Sequence, residues 1–205
     1  MTSIPAGEAG VSGPIPPRAA VHGKHPIPSA GPYPMGLMAL LATVSMLFAA
    51  FTASMIVRRG GSDWVRITLP SVVWINTVLL AGSTVAVEMA RAAVRRDASS
   101  RSVRWLALGT VLGVLFLVGQ VQAWVAWAAQ GVFLPTSPHA SFFYMLTAIH
   151  GAHVIGGLGA MLWTLRRSAL GAYRSGAHLG LTHMAIFWHF MGAIWVYLLV
   201  LLSIL

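Results

Sequence analysis

The side chains able to do chemistry inside the apolar stretches of this 205-residue chain are His150, His153, His183, His189, Glu88, Gln120 and Gln122. His150 and His153 stand at i and i+3. On a helix that spacing puts both imidazoles on nearly one face, with Thr147 one turn before and Gly157 one turn after. Imidazole is the commonest metal ligand, so the pair could belong to a metal or haem site. Against that, the sequence holds no cysteine and no membrane-depth carboxylate to complete a ligand shell. A bis-histidine haem site would need a histidine facing the pair from another helix, and His189 is the one available. The alternative is that both imidazoles hydrogen-bond neighbouring helices and fix their packing, because polar groups in lipid need protein partners.

The other candidates point toward structure. His183 and His189 are separated by about 240° around a helix, so they cannot form one site together. Aromatic residues enclose His189 in Phe187-Trp188-His189-Phe190, which reads as packing. Glu88 has Arg91 one turn later, and an interfacial ion pair is the expectation. Gln120 and Gln122 face different sides of their helix, and either could bond across to a neighbour. No nucleophile elbow, phosphate loop, paired carboxylates or HExxH motif occurs. The residues alone indicate no active site; they suggest a structural or accessory membrane subunit, or a haem or ligand carrier.

What must position these residues is a membrane bundle. The chain is 57% hydrophobic and 8% charged, whereas soluble domains carry about a quarter charged residues. Apolar runs at about 35–57, 68–90, 103–130, 140–166 and 179–205 are each long enough to cross a hydrocarbon core of about 30 Å. None alternates with period two, which excludes a barrel. The fold class is therefore an all-α membrane protein of five transmembrane helices. Pro70 falls in the first turn of its run, where a missing N–H does no harm. Trp64, Trp105, Trp124 and Trp127 sit near run ends, as an aromatic belt requires. In the fourth run Ala148, Ala152, Gly156 and Ala160 form a small-xxx-small seam where another helix could approach closely.

Residues 1–34 are rich in Pro, Gly, Ala and Ser and lack an apolar signal core, so they read as a disordered tail. The net charge of +9 comes from arginines between hydrophobic runs, which suits topology and anionic headgroups better than nucleic acid. Arg91, Arg95, Arg96, Arg101 and Arg104 share one side with Arg166, Arg167 and Arg174. That excess places the N-terminus in the cytoplasm and the C-terminus outside, with Arg58, Arg59 and Arg66 dissenting.

Two stretches then resemble subunit III of the haem–copper respiratory oxidases. They are Ser141-Phe-Phe-Tyr-Met-Leu-Thr-Ala-Ile-His150-Gly-Ala-His153-Val-Ile-Gly-Gly157, and Ile186-Phe-Trp188-His189-Phe190 followed by Trp195. Gly119-Gln120, Ala123-Trp124 and Gly131-Val-Phe add a softer match. Five helices is the form the short bacterial members take. The resemblance implies a bacterial inner-membrane subunit without metal or redox cofactor of its own, beside catalytic subunit I, which holds haem and copper, and subunit II. It implies bound phospholipids, support of proton uptake, dioxygen as acceptor and cytochrome c as donor. Membership of a larger respiratory supercomplex is a further implication. A quinol oxidase or a nitric-oxide reductase accessory subunit is the sister alternative, and a bis-histidine haem protein the alternative of another class. The motif positions are His150, Gly151, His153, Gly156, Gly157, Trp188, His189 and Trp195, which would serve packing and lipid contact. Family acids fall at Val44, Thr182 and Gly192 here, so their partnering groups are expected to be gone too.

Overall fold

The computed structural model describes residues 32–64, 69–173 and 178–204. Most of the expected tail, together with Arg66 and Arg174, lies outside the described residues. Five α-helices account for the fold: α1 Pro32–Arg58, α2 Val72–Arg95, α3 Ser99–Ala129, α4 Pro138–Ala169 and α5 Leu179–Ile204. All five are long and apolar enough to cross a membrane, and no strand occurs among the described residues. The protein is thus a multi-pass membrane protein.

Helix ends fall where backbone chemistry stops them. The turn after α2 places Asp97 at φ 53, a left-handed conformation that short polar side chains tolerate. Asp97 N–H donates to Val94 O and Ala98 N–H to Ala93 O, which closes a Schellman turn. The same device ends α3 at Gly131 (φ 76) and α4 at Gly171 (φ 75). Ser137 caps the start of α4, its Oγ accepting from Ala140 N–H at 3.2 Å, and Pro138 takes the position where no donor is needed. These caps carry α2 on to Arg95 and α4 from Pro138 to Ala169, through charged and polar residues that the apolar runs alone leave out.

Helices α2, α3, α4 and α5 pack in a ring, each against the next and α5 back onto α2. Helix α1 lies outside the ring, against α4 and α5. Its fully buried positions are Val44, Phe48 and Met55, a single stripe of one helix face. The tight α2–α3 pairing follows from glycine. A Cβ at Gly119 would sit 2.0 Å from Asn76 Oδ1, and one at Gly109 would sit 3.4 Å from Ser83 O. Ser83 Oγ donates to Gly109 O at 2.7 Å across that contact.

One expectation is corrected here. Trp127 is fully buried and meets the Phe143 ring at 3.9 Å, and Trp124 Nε1 donates to Thr147 Oγ1 at 3.1 Å. These two tryptophans join α3 to α4; their indoles are drawn inward by packing partners, not held at a lipid interface.

Candidate functional site

The buried face of α4 is the stripe that carries Thr147, His150, Val154 and Gly157. Its lining explains why that face packs. Gly157 leaves room for the Trp188 ring, since a Cβ there would stand 3.2 Å from Trp188 Cε3. His150 is 1% exposed and enclosed by rings from three other helices. Trp195 of α5 stacks on it with centroids 5.6 Å apart, and Phe116 of α3 meets it edge-on at 6.2 Å. Phe48 of α1 closes the box at 6.4 Å. Trp195 is fixed in turn by donating its Nε1 proton to Thr77 Oγ1 of α2 at 3.0 Å. One histidine therefore touches side chains of α1, α3 and α5 at once.

The expected hydrogen bonds from both imidazoles to neighbouring helices are not what the structure contains. Neither ring nitrogen of His150 has a hydrogen-bond partner among the described residues. His153 Nδ1 donates to Ile149 O of its own helix at 2.8 Å. Aromatic faces supply the contacts to His150 that polar atoms were expected to supply.

The seam of Ala148, Ala152, Gly156 and Ala160 is left open by the described residues. All four residues are exposed, and a Cβ on Gly156 would meet nothing within 4 Å. Ala152, Gly156 and Ala160 of the seam line a groove of about 550 Å³ between α1, α4 and α5, bordered by Leu37, His153, Trp163, His183 and Phe187. Arg167 lies over the ring of the bordering Trp163, 5.1 Å from its centroid. The close approaches that small residues permit occur at Gly109, Gly113 and Gly119 of α3 and at Gly157, one residue round from the seam.

On the opposite side of α5, His189 pairs with Glu88 of α2, and Arg91 Nη1 donates to the same Oε1 at 2.6 Å. The expected Glu88–Arg91 pair is there, with His189 as a third member. This also alters the reading of the missing acids. Gly192 and Thr182 bring no carboxylate to α5, yet α2 delivers one to His189. Of the remaining named positions, Gly151 is half-buried beside open space, and Trp188 and Trp195 are core residues. Gln120 is buried and accepts from Asn76 Nδ2 at 3.4 Å, while Gln122 is exposed.

Sequence reasoning missed Asn76, Thr77 and Ser83, which tie α2 to its neighbours. The available signal was their polarity within an apolar run, since such groups need partners in lipid. A wider basin of about 1060 Å³ near the α1–α2 turn is bordered by Arg58, Asp63 and Ser137, whose polar groups already pair or cap.

The chain matches the family described as Cytochrome c oxidase subunit III over residues 18–204. It is 31% identical to a cytochrome c oxidase subunit 3 of Thermostichus vulcanus, over 83% of this chain and 86% of that one. A cytochrome c oxidase subunit 3 of Synechocystis is 30% identical over 90% and 79% of the two chains. A probable cytochrome c oxidase subunit 3 of Mycobacterium tuberculosis is 27% identical over 79% and 82%.

Proposed function

The chain belongs to the cytochrome c oxidase subunit III family and so to a haem–copper oxidase complex, and from that premise we propose that it is the complex's accessory, non-redox subunit. In this reading it sits beside subunits I and II in a bacterial inner membrane, with its N-terminus in the cytoplasm. Haem and copper belong to the catalytic chain, electrons arrive from cytochrome c, and dioxygen is reduced there. The observation that carries the reading is how the intramembrane polar groups are spent. Asn76 meets Gln120, Thr77 meets Trp195, Thr147 meets Trp124 and Glu88 meets His189, each pair joining two helices. Such groups act as joints between spans.

The groove between α1, α4 and α5 suits one phospholipid. Its walls are apolar along Ala152, Gly156 and Phe187, and Arg167, stacked on the bordering Trp163, suits an anionic headgroup. Because Val44, Thr182 and Gly192 carry no acid, any support of proton uptake is indirect, through the stability of the catalytic chain. The test is purification by a tag on this chain in mild detergent. A multi-helix haem-bearing chain should come with it, and this chain alone should show no Soret band. A tagged preparation without that partner, or a haem spectrum retained by the isolated chain, would defeat the proposal.

A further inference from the structure

A groove of about 350 Å³ between α2 and α5 ends at a carboxylate that His189 and Arg91 already engage. A notch of about 450 Å³ where α2 meets α3 differs, because its charges are unanswered. It is lined by Arg101, Arg104, Trp105 and Leu108 of α3 and by Met89 of α2. The four α3 residues stand at i, i+3, i+4 and i+7, so one helix face carries them. Both arginines are exposed, and neither guanidinium forms an ion pair among the described residues. Countercharge within the chain is scarce, with 4 Asp and Glu against 13 Lys and Arg. Of those acids, Asp63 is taken by Arg58, and Glu88 by Arg91 and His189.

Position along the helix says what meets these cations. Helix α3 has 31 residues, a length of about 46 Å against a hydrocarbon core of about 30 Å. The excess, and the charges on it, put its first turns in the headgroup layer, and Arg101 and Arg104 both lie there. Leu108 is about 10 Å further along α3 than Arg101. Leu108 and Met89 are large apolar side chains left 43% exposed. Between cations and apolar side chains stands Trp105, half-buried, an indole of the kind favoured at that boundary. The notch thus presents groups in the order a phospholipid does, from phosphate to acyl chain. A free phosphate would meet the arginines and leave Met89 and Leu108 uncovered. A zwitterionic lipid would bring its own cation against Arg101 and Arg104.

We infer that the α2/α3 notch is a second lipid site, separate from the α1/α4/α5 groove, and that it selects a phospholipid with a net negative headgroup. The phosphate sits on Arg101 and Arg104, and an acyl chain runs along Met89 and Leu108. The inference needs only that the chain spans a membrane, and it stands apart from the lipid of the other groove.

The test titrates the protein, purified in mild detergent with the chains that accompany it, with phosphatidylglycerol, phosphatidylcholine or inorganic phosphate. Bound lipid is counted by native mass spectrometry. Arg101→Gln with Arg104→Gln should weaken phosphatidylglycerol at this site about thirtyfold, the worth of two cations at a membrane surface. Phosphatidylcholine binding should not change. Arg95→Gln with Arg96→Gln removes the same charge from exposed residues outside the notch, where salt screens it, and should weaken binding under about threefold. Gly156→Leu should leave this site filled. A phosphatidylglycerol with a diazirine on its acyl chain should label the peptides that hold Met89 or Leu108. Equal losses in the two double variants would mean diffuse attraction and overturn the inference. Displacement of the lipid by millimolar phosphate, or labelling confined to other helices, would overturn it as well.

Discussion

The two grooves that flank α5 look alike by shape and differ by what their walls leave unmet. The one against α1 and α4 holds His153 and His183, and His153 already bonds its own helix. The one against α2 ends at the Glu88 carboxylate, which His189 and Arg91 already engage. In water both would be exposed surface and solvent would treat them much the same. In a bilayer acyl chains satisfy the apolar walls of both, and the polar groups at their ends set them apart. What exposure means for a membrane helix is therefore decided by hydrogen-bond accounting more than by hydropathy.

The largest perturbation should abolish the comparison by moving α5. A Cβ at Gly157 would already stand 3.1 Å from Phe187 Cε1 and 3.2 Å from Trp188 Cε3. Gly157→Leu should therefore destabilise the bundle by about 3 kcal/mol through overpacking. Thermal unfolding of the detergent-solubilised chain would show it, with bound lipid and partner lost together. Glu88→Leu should loosen the α2–α5 joint and leave the rest of the ring in place. Removing the carboxylate from His189 and Arg91 should cost about 1.5 kcal/mol in stability, read by thermal unfolding of the detergent-solubilised chain. Phospholipid content, measured by phosphorus analysis, should stay as in the unmodified protein. The smallest effect on stability belongs to Gly156→Leu, beside Gly157 in sequence yet open on all sides. It should change stability by under about 0.5 kcal/mol, retain the partner, and lower the bound phospholipid by roughly one per chain, a count for one acyl-lined site. If Gly156→Leu kept the lipid, the reading of the α1/α4/α5 groove as a lipid site would be wrong.

Much of this architecture was legible from the residues. Long apolar runs separated by arginines can only be spans, and the face shared by Thr147, His150 and Gly157 is the buried face of α4. The roles of the two stripes on that helix were not legible. Small residues permit close approach without dictating which neighbour takes it. Here Trp188 presses on Gly157, while nothing among the described residues fills the space over Gly156. The aromatic box around His150 draws on α1, α3 and α5, so it depends on a ring order that no single run encodes. The Glu88–His189 pair spans |i−j| = 101. Its one sequence signal was an acid near the end of a span, which needs a partner.

The central claim is that the histidines of this chain hold helices together and that oxygen chemistry belongs to a neighbouring polypeptide. Haem per catalytic chain, read from the reduced pyridine haemochrome of the purified oxidase, tests it directly. His150→Phe, which keeps the ring packing, and His189→Gln, which keeps a donor for Glu88, should each leave that ratio and the Soret maximum unchanged. Loss of a haem equivalent in either variant would mean that this chain ligates a porphyrin, and the account would be wrong.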